Sequence, residues 1–100
     1  MKKHIILFLA ITLAATVSLS AQVMTGIEVL RDHHFSELQG KRVGLVTNPS
    51  GVDHNLTSTV DILYNAPGVK LVALYGPEHG VRGNAHAGDA VSDAVDAKTG

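Results

Sequence analysis

The polar stretch GPEHGVRG, residues 76–83 of this 100-residue sequence, contains residue types that can do chemistry. It sets Glu78, His79 and Arg82 among glycines and a proline, directly after an apolar run. A carboxyl group can donate a proton to a leaving group, and a guanidinium can bind a carboxylate through two hydrogen bonds. The glycines permit unusual backbone angles and close approach of a ligand. Glu78 is therefore a candidate acid, but the stretch taken alone fits an exposed turn glutamate as well.

The two other charged or titratable residues of this stretch have more than one interpretation. His79 could bind a substrate or tune the pKa of Glu78, or it could cap the turn. Arg82 could bind a substrate carboxylate, or it could form a structural salt bridge. The sequence leaves both pairs of alternatives open.

A second polar stretch, TNPSG, covers residues 47–51. Asn48 can exchange hydrogen bonds with hydroxyl or acetamido groups, or it can act as a turn-former before Pro49. Asp53 is the nearest candidate for a second carboxylate, but its position in the loop favours a capping role. We expect the second catalytic group to lie beyond Gly100.

The elements that must position these stretches follow from the apolar pattern. Residues 41–48 and 69–75 are nearly continuous apolar runs and predict strands that are buried on both faces. Residues 57–66 have helical spacing, with Asn55, Thr57 or Ser58 as candidate caps and Pro67-Gly68 as the end. A shorter helix is predicted over 26–31, with Gly26 as a possible cap.

The order strand, helix, strand predicts a βαβ unit with parallel strands and a right-handed crossover. The carboxyl ends of its two strands meet at one edge of the sheet, where open parallel sheets bind ligands. TNPSG and GPEHG follow those ends, so we expect the two stretches to lie side by side. The predicted fold class is α/β, with a Rossmann-like parallel sheet of which one βαβ unit is visible.

The segments KRVGLVTNPSGVD, TVDIL, APGVKLVALYGPEHGVRG and AGD, in this order, resemble the N-terminal part of the bacterial exo-β-N-acetylmuramidase (NamZ-type) family. The resemblance covers residues 26–88. It implies an exo-acting glycoside hydrolase that releases N-acetylmuramic acid from the non-reducing end of peptidoglycan fragments during cell-wall turnover and recycling. It favours Glu78 as the catalytic residue, with Asn48, His79 and Arg82 as substrate-binding candidates.

The same resemblance implies a Rossmann-like N-terminal domain joined to a second domain, with the active site in the cleft between them. Members of the family are several times longer than this sequence. One βαβ unit also cannot cover both faces of a parallel sheet. We therefore interpret residues 22–100 as the N-terminal part of a truncated catalytic domain.

Residues 1–21 have the pattern of a cleaved signal peptide. Lys2 and Lys3 precede an uncharged apolar run over 5–17, which is shorter than the about 20 residues that span a bilayer. Ser18-Leu19-Ser20 is the best small-x-small cleavage site, and cleavage after Ala21 is the alternative. We expect export to the periplasm or the medium; an uncleaved membrane anchor is the other interpretation.

Composition limits the partners. Removing Lys2 and Lys3 leaves six basic against nine acidic residues, so the net charge changes from −1 to −3. An acidic chain of this kind argues against nucleic acid or anionic lipid as a partner. The sequence contains no cysteine, which excludes a lipoprotein anchor and disulfide stabilisation. The expected partners are peptidoglycan-derived saccharides, and the sequence leaves the oligomeric state open.

The sequence gives less support to other functional classes. The six histidines show no HExxH or similar cluster, so no metal is expected. TNPSG is not a GxGxxG loop, so no dinucleotide cofactor is expected either. A periplasmic sugar- or muropeptide-binding protein without catalysis remains the alternative function, because such proteins also bind ligands at parallel strand ends.

Overall fold

A computed structural model describes residues 1–14 and 22–100 of the chain. The elements are helix α1 (Lys2–Ala14), helix α2 (Gly26–Asp32), a 3-10 turn (Ser36–Leu38), strand β1 (Arg42–Val46), helix α3 (Thr59–Tyr64) and strand β2 (Lys70–Tyr75). The predicted order of strand, helix and strand is confirmed. Helices α2 and α3 and both strands lie within, or within one residue of, their predicted ranges.

Strands β1 and β2 form a parallel pair, which confirms the predicted α/β class and makes the fold an incomplete Rossmann-like unit. Arg42 pairs with Lys70 at the start and Val46 with Tyr75 at the end, with one shift in register after Val43. The ladder continues past β1, because the Thr47 amide donates to the Tyr75 carbonyl at 3.0 Å. The carboxyl ends of both strands therefore lie at the same edge.

Specific caps explain where the two inner helices begin. Ser58, one of three predicted candidates, caps α3 by accepting a 3.2 Å hydrogen bond from the Val60 amide. Helix α2 is capped at Thr25 rather than at Gly26, which is its first residue. The Glu28 carboxylate accepts hydrogen bonds from the Thr25 amide at 2.6 Å and from its hydroxyl at 2.9 Å. This is the glutamate half of a capping box, and it fixes the entry into α2.

The core lies on one side of the sheet. Its buried centre joins the turn after α2 to helix α3, and partly buried residues of α2 and both strands pack around it. The central residues are Phe35, Ile62, Leu63 and Ala66; those around them are Ile27, Leu30, Leu38, Leu45, Val69 and Leu71. Apolar burial of this kind is the main stabilising contribution to the βαβ unit.

Both strands are predicted to be buried on both faces, and within the described part of this chain only one face is covered. Burial alternates along the strands, and Val46, Val72 and Tyr75 are 75%, 42% and 60% exposed. The reason is geometric, because successive strand residues point to opposite faces and the core cluster occupies only one of them. An apolar run records the hydrophobicity of both faces, but it does not show whether both are covered.

Helix α1 lies in the predicted signal peptide and exposes the apolar side chains of residues 5–9. No helix in the described part of the chain is long and apolar enough to cross a membrane. The predicted cleavage region, residues 18–21, lies outside the described residues. The signal peptide therefore stays a prediction.

Candidate functional site

The loops that follow the two strands are adjacent, as the parallel arrangement predicts. Their first residues are joined by the hydrogen bond from Thr47 to Tyr75. Further along, Gly83 packs against the ring of Pro49, so closely that a Cβ atom on Gly83 would lie 2.8 Å from the Pro49 Cγ. TNPSG and GPEHGVRG thus form one surface at the carboxyl edge of the sheet.

The GPEHG loop is a tight turn. The Gly80 amide donates to the Pro77 carbonyl at 2.7 Å, and Gly80 has a φ of +76°, which favours glycine. Gly76 lies against the returning backbone, where a Cβ atom would be 2.5 Å from the Val81 nitrogen. This packing leaves no room for a side chain at position 76. The turn therefore presents Glu78 and His79 at its tip.

Glu78 is exposed at this tip, and its carboxyl group makes no hydrogen bond with any residue that the structure describes. His79 is also exposed, but its Nδ1 lies 3.1 Å from the Ala85 carbonyl oxygen. If Nδ1 carries the proton, it donates to that carbonyl and leaves Nε2 as an acceptor. The carboxyl of Glu78 is thus available to a ligand, whereas the ring of His79 is already oriented by the protein.

Asn48 is exposed in the first loop and organises its turn. Its Oδ1 accepts a 2.9 Å hydrogen bond from the Ser50 hydroxyl, and its backbone carbonyl accepts one of 2.9 Å from the Gly51 amide. Its role as a turn-former is therefore present in the structure. The side-chain nitrogen of Asn48, Nδ2, makes no hydrogen bond within the described residues, so it can still donate to a ligand.

Asp53 is buried, with 3% exposure, and its carboxylate is fully engaged. It accepts hydrogen bonds of 2.9 Å from the amides of Asn55 and Thr57, and Arg31 binds it at 3.0 Å. The hydrogen bond from Thr57, together with Arg31, holds the pKa of Asp53 below its usual range. The capping interpretation is confirmed, and Asp53 is not placed to act as a second catalytic carboxylate.

A second anchor of the first loop was missed at the sequence level. Glu28 is 5% exposed and accepts hydrogen bonds from the backbone of Thr25 and from the backbone and ring of His54. These contacts, that of the Thr25 amide first, lower the pKa of Glu28 to about 2. The spacing of Thr25 and Glu28 in TGIE was the available signal, because a capping box needs this spacing. The long-range contact with His54 leaves no such pattern.

The guanidinium of Arg82 is engaged in ion pairs within the protein. Its Nε and one terminal nitrogen donate to the two carboxylate oxygens of Asp96 at 2.9 and 2.8 Å. The same terminal nitrogen donates to Asp61 on α3 at 3.0 Å. Of the two alternatives that the sequence left open, the structure contains the salt bridge. The predicted contact of Arg82 with a substrate carboxylate stays a prediction.

Within residues 1–14 and 22–100, no group of three or more His, Asp or Glu side chains is placed to hold a metal ion. An open cavity beside α2 contains none of the predicted site residues. It is lined by Gln22, Met24, Glu28, Arg31, Asp32, His34 and His54. The candidate site is instead the exposed surface at the strand ends.

Comparison with known proteins identifies the family of this chain. The family described as "Exo-beta-N-acetylmuramidase NamZ, N-terminal" matches residues 43–100, which include both loops and all four predicted site residues. The chain belongs to the NamZ family. The resemblance seen in the sequence motifs is therefore confirmed.

Two relatives of this NamZ-family chain support the assignment. The "Peptidoglycan beta-N-acetylmuramidase NamZ" of Bacillus subtilis (strain 168) is 57% identical over 79 residues, which are 79% of this chain and 19% of that protein. A crystal structure of a DUF1343 family protein from Bacteroides fragilis NCTC 9343 matches with a TM-score of 0.68 and 61% identity. The matched region covers 77% of this chain and 18% of the B. fragilis chain.

The chain thus spans about a fifth of the length of these NamZ-family relatives. The structural match agrees with a partial α/β unit, in which one parallel pair and its helices belong to an incomplete first domain. Both loops of the candidate site lie within residues 43–100, the range that the family model matches.

Proposed function

We propose that this chain carries half of the active site of a peptidoglycan glycoside hydrolase. The proposed reaction is exo-acting release of N-acetylmuramic acid from the non-reducing end of peptidoglycan fragments, as part of cell-wall recycling. The observation that carries the proposal is the exposed, unbonded carboxyl of Glu78 at the tip of the GPEHG turn. The family membership and the match to a B. subtilis peptidoglycan β-N-acetylmuramidase support it.

Glu78 is the proposed general acid. As the bond between C1 and the glycosidic oxygen breaks, the leaving oxygen takes the bond's electron pair and the proton of Glu78. Water supplies the oxygen that becomes attached to C1, and its proton returns to a base. A second group, nucleophile or base, is needed for this step, and we propose that it lies outside this chain because Asp53 is engaged in the first loop.

Asn48 and His79 are the proposed substrate-binding residues. The Asn48 amide nitrogen can donate to the carbonyl of an acetamido group, since its oxygen is held by Ser50. His79 can accept a hydrogen bond from a sugar hydroxyl through Nε2 when its Nδ1 donates to Ala85. Asn48 lies on the first of the two loops that meet at the strand ends, and His79 follows Glu78 on the second.

The proposal is tested with chromogenic glycosides and the full-length protein that contains this chain. We expect release of the chromophore from the β-glycoside of N-acetylmuramic acid and not from that of N-acetylglucosamine, which lacks the lactyl carboxylate. Release from both sugars at equal rates would contradict the proposed substrate. Tight binding of muramic acid fragments without any release would instead favour the binding protein.

A further inference from the structure

A charged cluster ties the candidate site loop to two other parts of the chain. It consists of Asp61, Arg82, Asp96 and Lys98, and we call it the Arg82 cluster. Asp96 lies 14 positions after Arg82, and Asp61 on α3 lies 21 positions before it. Lys98 also contacts Asp61. The cluster therefore joins α3, the loop after β2 and the C-terminal segment.

Hydrogen bonds within the Arg82 cluster hold its side chains in a defined geometry. Asp96 receives two hydrogen bonds from the planar guanidinium of Arg82, which holds the side chain in one orientation. Asp96 is itself held by the amide and hydroxyl of Thr99, at 3.0 and 2.7 Å. The side chains of Asp61 and Asp96 are only 15% and 14% exposed, so water competes weakly for these contacts.

The Arg82 cluster is attached to the backbone that closes the turn carrying Glu78. Arg82 follows Val81, whose nitrogen packs against Gly76 at the start of the turn. It precedes Gly83, which packs against Pro49 in the neighbouring loop. Fixing Arg82 therefore fixes the closing side of the GPEHG turn and its distance from TNPSG.

The charge balance of the cluster argues against a role for Arg82 in anion binding. Two carboxylates and two cations sum to zero, and both Asp61 and Asp96 contact the guanidinium. Both pairs use Nε and the same terminal nitrogen of Arg82, so only the other terminal nitrogen could meet a substrate carboxylate without breaking one of them. The contacts that the structure contains are structural.

We infer that Asp96 and Asp61 are positioning residues, which act through Arg82 to hold the Glu78 turn at the carboxyl edge of the sheet. Neither carboxylate contacts the candidate acid, so neither is a catalytic residue. The effect on turnover rests on the proposed function, whereas the effect on the geometry of the turn does not. The C-terminal segment, which carries Asp96, therefore contributes to the geometry of the site.

The kinetic test uses Asp96→Asn and Arg82→Ala, singly and together, in the full-length protein with N-acetylmuramic acid glycoside as substrate. We expect kcat to fall by about ten- to a hundredfold in each single variant, with KM changed less, because a displaced acid loses rate rather than affinity. The kcat of the double variant should be no lower than that of Arg82→Ala, since both changes remove the same contact between Arg82 and Asp96. Asp93→Asn, an exposed carboxylate of the same segment, is the matched control and should keep the wild-type rate.

Hydrogen exchange at the Gly80 amide provides a readout that does not depend on activity. This amide bonds to the Pro77 carbonyl, and its protection should fall in Asp96→Asn but not in Asp93→Asn. Unchanged protection of the Gly80 amide in Asp96→Asn would overturn the inference, whether or not the wild type is active. An inactive wild type alone would contradict only the proposed function. If Asp96→Asn fails to fold, Arg82→Lys keeps the charge but loses the two-pronged contact, and the same changes are expected.

Two kinetic results would also overturn the inference. One is a wild-type kcat in Asp96→Asn. The other is an increase in KM for the muramic acid substrate in Arg82→Lys with kcat unchanged, because that pattern is typical of a residue that binds the substrate carboxylate directly.

Discussion

At the scale of single residues, the site combines one available carboxyl with several that are engaged. Glu78 is exposed and unbonded within the described residues, whereas Asp53, Asp61 and Asp96 each accept several hydrogen bonds. In the last three, these contacts lower the pKa and keep the carboxylate ionised. Among the carboxyls at the carboxyl edge of the sheet, Glu78 is therefore the one whose oxygens are open to a ligand.

Gly76 should be essential for the shape of the turn. In Gly76→Ala the new Cβ atom would lie 2.5 Å from the Val81 nitrogen and 2.7 Å from the Gly80 carbonyl carbon. We expect a loss of about 1–3 kcal/mol in the free energy of unfolding, and a kcat lowered by about a hundredfold. Urea unfolding and steady-state kinetics measure the two effects.

Gly26→Ala is the matched control for that variant. A Cβ atom on Gly26, at the start of α2, would meet nothing within 4 Å. Its free energy of unfolding should stay within about 1 kcal/mol of the wild type, because alanine is a better helix former than glycine. Equal losses in the two variants would show that the close packing of Gly76 is not the cause.

At the scale of elements, βαβ geometry brings the two loops together, and buried side chains hold that geometry. Leu63 of α3 is 3% exposed in the core cluster. Leu63→Ala should lower the free energy of unfolding by about 2–5 kcal/mol, measured by chemical denaturation of the full-length protein. Leu56→Ala, at a leucine that is 79% exposed, should cost far less.

The anchor between α2 and the first loop should weaken in acid. Hydrogen bonds lower the pKa of Glu28 from 4.5 to about 2, so the folded state prefers the ionised carboxylate. Its contribution to stability is complete above pH 4.5, the unfolded pKa, and is lost as the pH falls toward 2. Glu28→Gln should therefore flatten the pH dependence of unfolding between those values.

Urea titrations at a series of pH values measure this effect. Asp93→Asn serves as the control, because Asp93 is exposed and makes no hydrogen bond within the described residues. A Glu28→Gln protein that lost stability in acid as steeply as the wild type would contradict the assigned role of Glu28.

The elements were predictable from the sequence because their signals are local. Apolar runs bounded by Pro67-Gly68, and the serine that begins α3, were enough to define the βαβ unit and the edge that carries the site. The contacts of Glu28 with His54 and of Arg82 with Asp96 were not predictable, because charged side chains far apart in sequence leave no periodic pattern. Which face of the sheet this chain covers was not predictable either, since hydrophobicity alone does not distinguish the two faces.

At the scale of the whole molecule, we propose that residues 1–21 direct export and are then removed. The apolar side chains that α1 exposes at residues 5–9 suit recognition by an export machinery. Mass spectrometry of the exported protein should find an N-terminus at Ala21 or Gln22. A mature protein that kept Lys2 and Lys3 and stayed in the membrane fraction would contradict this prediction and favour the anchor.

We propose that the full-length protein supplies the second catalytic group. Relatives about five times as long have room for it, since the chain covers 19% and 18% of the two that match. The residues that we propose for the first half of the site all lie in one βαβ unit and the loops that follow its strands. Glu78, His79 and Asn48 are all set by two loops whose packing lies within residues 47–99.

The substitution Glu78→Gln in the full-length protein tests the central claim most directly. Glutamine keeps the size of the side chain but cannot donate the proton, so we expect release from an unactivated muramic acid disaccharide to fall by at least about a hundredfold. Binding of that disaccharide should persist, and Glu37→Gln, at an exposed glutamate paired with His33, should keep the wild-type rate. A Glu78→Gln enzyme that releases N-acetylmuramic acid as fast as the wild type would contradict the account.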